Sequence, residues 1–163
     1  QGTLLMAGDI QVVVQPGRFT PRGLMRGWLQ HLRLCAESAD FGGSAVIARA
    51  DKGDDAKTHV RWGRLEPAEA QAQLLTLQRL VQQGQHQCWP VPPRSGWLLM
   101  SKEHNKAGSG VAAFQDSWIR ERQDPQQRLC FGAEAEADQL LQSPGFEQAC
   151  ALLYKPMLQA LAL

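Results

Sequence analysis

With 163 residues, 44% of them hydrophobic, and a formal charge of +1, the chain is long enough for one ordinary domain core and too evenly charged to be an acidic or basic tail. No apolar run approaches the ~20 residues that span a bilayer, and no cationic and apolar leader precedes Thr3-Leu4-Leu5-Met6. A membrane partner is therefore not expected, and a chain that opens on Gln1 reads as a single-domain fragment, residues 1–163, of a longer polypeptide.

In chain order, the β-branched, apolar segment from Leu4 to Val14 predicts a strand ended by Gln15-Pro16-Gly17, with a bend or bulge at Gly8-Asp9. Thr20-Pro21 has the form of a helix start, an N-cap followed by proline in the first turn. Leu24, Met25, Trp28, Leu32 and Cys35 then recur at helical spacing, and Phe41-Gly42-Gly43 bounds that helix. Ala45 to Arg49 and Thr58 to Arg64 predict two short strands joined by the charged loop Asp51 to Lys57, an antiparallel hairpin. Pro67 opens a second helix, with Ala70, Leu74, Leu77 and Val81 as its buried stripe and Gly84 as its stop.

The stretch Cys88-Trp89-Pro90-Val91-Pro92-Pro93-Arg94-Ser95-Gly96-Trp97 follows. Its prolines fix φ and remove backbone donors, which predicts an extended, polyproline-like strap clamped by Trp89 and Trp97. Lys102 to Gly110 predicts a loop, and Val111, Phe114, Trp118 and Ile119 a third helix ending near Asp124-Pro125. A turn region from Gln126 to Gly132 and a short helix around Leu140-Leu141 come next. Ser143-Pro144 then starts a last helix with Phe146, Cys150, Leu153 and Met157 on one stripe and a kink at Pro156. The expected class is mixed α/β, a small sheet or hairpin packed with about four helices.

Charge is unevenly distributed. Residues 1–64 carry a net +3 and residues 65–163 a net −2. The positive half holds Arg18, Arg22, Arg26, Arg33, Arg49, Arg61 and Arg64, which contact phosphate backbones if they share a face. Cys35, Cys88, Cys130 and Cys150 lack metal-ligand spacing, and a helix that places His31 and Cys35 on one face supplies two ligands where a site needs more. Buried thiols of a reducing cytoplasm are the simpler reading. Neither a phosphate loop nor a nucleophile elbow occurs. A metal nuclease needs converging carboxylates and a lysine; Asp9 and Asp55-Ala56-Lys57 imitate that pattern, although a hairpin turn suits the second segment better.

Three segments in order, Leu24-Met25-Arg26-Gly27-Trp28-Leu29-Gln30-His31-Leu32, then Gln87 to Trp97, then Phe146 to Leu161 with Pro156-Met157-Leu158, carry a family resemblance that covers nearly the whole chain. They resemble the C-terminal part of the RecC family, the gamma subunits of exodeoxyribonuclease V. The resemblance implies a degenerate nuclease-like domain of the PD-(D/E)XK type. In active relatives of that type an aspartate follows glycine and an apolar residue; here Gly8-Asp9-Ile10-Gln11 puts Gln11 in that place, with Asp9 two residues away. The implied role is a non-catalytic scaffold, without a cofactor, that grips the beta and alpha subunits and touches DNA during break repair and recombination in the cytoplasm. Candidate contacts to the DNA backbone are Lys52, Lys57, Arg61 and Arg64; candidate partner contacts are Trp89, Arg94 and Trp97. The competing readings are an active metal-dependent nuclease and a free-standing interaction module.

Overall fold

A computed structural model describes residues 5–49, 58–87 and 89–162. The chain forms two compact units, Gln1–Thr76 with Gln159–Leu163, and Leu77–Leu158.

The first unit is a four-stranded sheet with a helix on it. β1 (Met6–Ala7) and β2 (Ile10–Gln15) are antiparallel, with Met6 opposite Gln11 and Ala7 opposite Ile10. Gly8, at φ +65°, makes the intervening turn that a side-chain-bearing residue would strain. The expected single strand is therefore folded back on itself at Gly8-Asp9. α1 (Pro21–Glu37) begins as its sequence dictates, with the Thr20 hydroxyl accepting from the Gly23 N–H at 3.1 Å and Pro21 in the first turn. It leads to β3 (Gly43–Ala48), which runs parallel to β2, and β4 (His59–Gly63) returns antiparallel to β3. The strand order is β1-β2-β3-β4. The hairpin is as expected, although its loop from Asp51 to Lys57 lies outside the described residues.

Period-2 alternation puts Gln11 and Val13 of β2, Ser44, Val46 and Ala48 of β3 and Trp62 of β4 on the face that α1 covers. Trp28, Leu32, Cys35, Phe41, Val46 and Trp62 are buried there, and the Trp28 and Trp62 rings meet edge to face at 5.4 Å. Gly27 permits the close approach: a Cβ there would stand 3.0 Å from Val46 Cγ2. Beyond the sheet, the chain's last described residues return to β4. Leu161 bridges Trp62, and the Ala162 N–H donates to the Arg61 carbonyl at 2.9 Å.

α2 (Pro67–Gly84) starts and stops where proline and glycine direct. Ala70 and Leu77 are buried as expected and Leu74 is half-buried, whereas at the end of the helix Leu80 is buried in place of Val81, which is 66% exposed.

The second unit is helical: α3 (Pro93–Asn105), α4 (Gly110–Glu121), α5 (Pro125–Phe131), α6 (Ala137–Leu141) and α7 (Phe146–Gln159), whose final residue belongs to the first unit. Its core collects Phe114, Trp118, Leu140, Phe146, Cys150, Tyr154 and Met157. Three expectations change here. The strap stops at Pro92, whose backbone is extended; Pro93 occupies the first turn of α3, where its missing N–H leaves no intrahelical bond unmade. The polar residues after Lys102 form the exposed end of α3, so the connecting loop is short. Asp124 caps α5 with Pro125 behind it, converting the expected turn into a helix. Seven helices stand among the described residues where about four were expected, and α7 continues through Pro156.

Candidate functional site

The place where a nuclease of the suggested type would carry a carboxylate is the α1-covered face of β2. Register brings Gln11 directly beside Ser44 of β3, and α1 lays Gln30, His31 and Cys35 over them. Gln11 is 1% exposed and His31 fully buried, which forces every polar atom to find a protein partner. Gln11 Nε2 donates to Gln30 Oε1 at 3.0 Å, and the Ser44 hydroxyl donates to Gln11 Oε1 at 2.9 Å. Because that hydroxyl has spent its proton, it accepts from His31 Nδ1, 3.0 Å away. With its proton on Nδ1, His31 accepts at Nε2 from the Cys35 thiol, 3.5 Å away, and Cys35 Sγ in turn accepts from the Leu65 N–H at 3.4 Å. The result is one directed chain of hydrogen bonds from the main chain after β4, through α1, to the centre of the sheet.

The chain is electrically neutral. Burial holds the His31 imidazolium down, with its pKa at about 4, against the opposing effect of a hydrogen bond to the Gly63 backbone. Burial likewise raises the Cys35 thiol, the Leu65 hydrogen bond opposing it. A divalent cation calls for charged oxygen ligands; Gln11 offers a carboxamide oxygen already committed to Ser44. His31 and Cys35 do share a face, as their spacing implied, and they meet each other and the sheet rather than forming part of a ligand cluster. Among the described residues no group of three or more His, Cys, Asp or Glu is placed to hold a metal ion.

Asp9 lies in the exposed turn between β1 and β2. Its carbonyl accepts from the Gly42 N–H at 2.9 Å, and its carboxylate covers Gly42 so closely that a Cβ there would stand 2.0 Å from Oδ2. Asp55 lies outside the described residues, as do Lys52 and Lys57. Of the four candidate phosphate contacts, Arg61 and Arg64 are placed and both are exposed. Arg61 projects from β4 on the face opposite α1, as its pairing with Ala45 requires, and Arg64 donates to the Ala39 carbonyl.

The candidate partner contacts lie in the second unit. Trp89 is half-buried; its Nε1–H donates to the Leu80 carbonyl at 2.9 Å and its ring lies over Gly84. Trp97 is half-buried against Tyr154, ring centroids 5.7 Å apart, while Tyr154 donates to the Pro93 carbonyl at 3.0 Å. Arg94 is exposed, and its main-chain N–H donates to Glu121 Oε1 at 2.8 Å. The three residues are thus brought to the start of α3 and its approach. Sequence reasoning missed Ser44 and Gln30, which complete the buried chain. Their residue types carry no signal, and only the parallel register of β2 and β3 reveals Ser44.

No curated protein matches the sequence. The family model of the RecC C-terminal domain matches residues 2–104, which takes in the whole sheet, α1, α2, the proline-rich segment and most of α3. With more than half its length matched, the chain belongs to the RecC C-terminal domain family, and so to the subunits of exodeoxyribonuclease V.

Proposed function

We propose that the chain is a non-catalytic scaffold domain of the exodeoxyribonuclease V gamma subunit, with a degenerate PD-(D/E)XK-like sheet at its centre, contacting the beta and alpha subunits and the DNA backbone in the cytoplasm. The observation that carries this reading is Gln11, sealed between Ser44 and Gln30 at 1% exposure where the resemblance calls for a metal-binding aspartate. A neutral amide whose oxygen and nitrogen are both engaged inside a packed sheet supports scaffolding over hydrolysis, because a hydrolytic site must admit both a cation and water.

DNA contact on this reading is made through phosphate, by Arg61 and Arg64 together with Lys52 and Lys57, and is independent of sequence. Residues 1–163 serve as one functional piece of the subunit, needing no cofactor of their own. The free-standing interaction module is the weaker reading, since Trp89 and Trp97 are each engaged within their own unit. Sedimentation of the purified chain with the beta and alpha subunits tests the proposal. Co-sedimentation with at least one of them is the expected result, and independent migration of all three overturns it.

A further inference from the structure

We infer that the sheet face turned away from α1 is a docking surface for an amphipathic α-helix of a partner polypeptide, one with an apolar stripe and acidic residues along the flank that meets β4. The register defines this face: Val12, Ala45 and Arg61 form one row, and Val14, Ile47 and His59 the next. Leu5 extends the first row, its carbonyl accepting from the Val12 N–H at 2.8 Å. The face is apolar and open, with Leu5 58%, Val14 61% and Ile47 42% exposed. Isolated exposed aliphatics are ordinary, but Val14 and Ile47 on paired strands, with Leu5 just before β1, form a patch.

Strand direction makes the patch informative. β2 and β3, joined through α1, form a parallel pair between two antiparallel ones, and crossover units of this kind commonly stand in sheets covered by helices. α1 covers one face, and the other leaves Leu5, Val14 and Ile47 exposed. The cover's chemistry follows from the rim. Arg61 stands on this face at the β4 edge with His59 in the next row, and Arg61 has no ion-pair partner among the described residues. A positive rim beside an apolar floor favours acids on the covering helix.

The inference rests on the preceding reading only for which polypeptide supplies the helix, and where that helix is seated it replaces phosphate as the partner of Arg61. Its test uses the purified chain and a labelled synthetic helix of about 18 residues, long enough to cross a sheet of this width, with a leucine stripe and glutamates on one flank. A twin carries lysines in place of the glutamates. Anisotropy should show the glutamate helix binding more tightly than its twin. The double variant Val14→Asp/Ile47→Asp should lose at least about tenfold in affinity, Arg61→Glu should reverse the preference between the helices, and Val111→Asp/Ile119→Asp, on α4, should change neither. The inference is overturned if neither helix binds, if binding ignores Val14 and Ile47, or if the chain dimerises through this face and the double variant abolishes the dimer. Carbene footprinting with the beta and alpha subunits separates the two claims. Subunits that bind and leave Val14 and Ile47 reactive, with no helix binding, sink the docking surface alone. Subunits that fail to bind, while the synthetic helix does, sink the scaffold reading alone.

Discussion

Burial of a few polar side chains has measurable consequences at the scale of single residues. His31 takes up a proton only at about pH 4 in the fold, whereas in an unfolded chain it does so near 6.5. Between those values the unfolded state binds more protons, so stability is intact above about pH 6.5 and declines as pH falls towards 4, by at most about 3 kcal/mol. Urea midpoints measured across this range should fall with pH, and His31→Gln should remove most of that slope; an unchanged slope would show that His31 is not the titrating group. Gln11→Leu strips Ser44 of its acceptor and Gln30 of its donor, and should cost about 1–3 kcal/mol in the same assay. Thiol reactivity offers a separate check. Cys35 and Cys150 are buried, and burial, aided by the nearby Glu147 charge, pushes the Cys150 thiol up to about 12, while Cys130 is exposed. Iodoacetamide mapped by mass spectrometry should modify Cys130 in the folded protein, and Cys35 and Cys150 only after unfolding.

Elements are joined by caps that cross from one helix to the next. Glu121, at the end of α4, accepts from the N–H groups of Arg94 and Ser95 and from the Ser95 hydroxyl, at 2.8, 2.6 and 2.6 Å. Glu103, near the end of α3, accepts from the N–H groups of Gly108 and Gly110, at 2.8 and 3.1 Å. Each helix thereby supplies the carboxylate that satisfies the other's first turn, where neither has an acidic residue of its own. Glu121→Ala should lower the stability of the second unit by about 1–3 kcal/mol, since it removes charge-assisted bonds from partly buried donors. The two backbone hydrogen bonds hold the Glu103 carboxyl below its ordinary range. The stabilisation from Glu103 is therefore present above the usual glutamate range and lost as pH falls through the lowered value; Glu103→Gln should flatten that part of the acid transition.

These caps also mark where the sequence stops being legible. α1, α2, α4 and the β3–β4 hairpin follow from apolar spacing and from Thr20-Pro21, Pro67 and Gly84, because those signals act within one turn of the chain. α3 and α5 escaped because proline was read as a breaker. At Pro93 and Pro125 it stands in the first turn, and in α3 the N-cap residue, Pro92, makes no side-chain bond; the carboxylate that serves instead is 26 residues away. The run Gly8-Asp9-Ile10-Gln11 draws attention to Gln11, whereas its neighbours depend on a β2–β3 register that no local pattern encodes.

On the scale of the whole molecule, two units with separate cores share one chain, and the family match takes in the described sheet of the first and only the beginning of the second. The sheet is a mixed one, with a parallel β2–β3 pair at its centre, and its α1-covered face is closed by neutral side chains rather than opened around charge. The proposed scaffold role makes catalysis the property to test. The purified protein should be incubated with linear duplex DNA and Mg²⁺ or Mn²⁺, beside Asp9→Ala and Gln11→Ala variants. Intact DNA is expected in every case. Cleavage by the unmodified chain that disappears in Asp9→Ala or Gln11→Ala would contradict the proposed non-catalytic role.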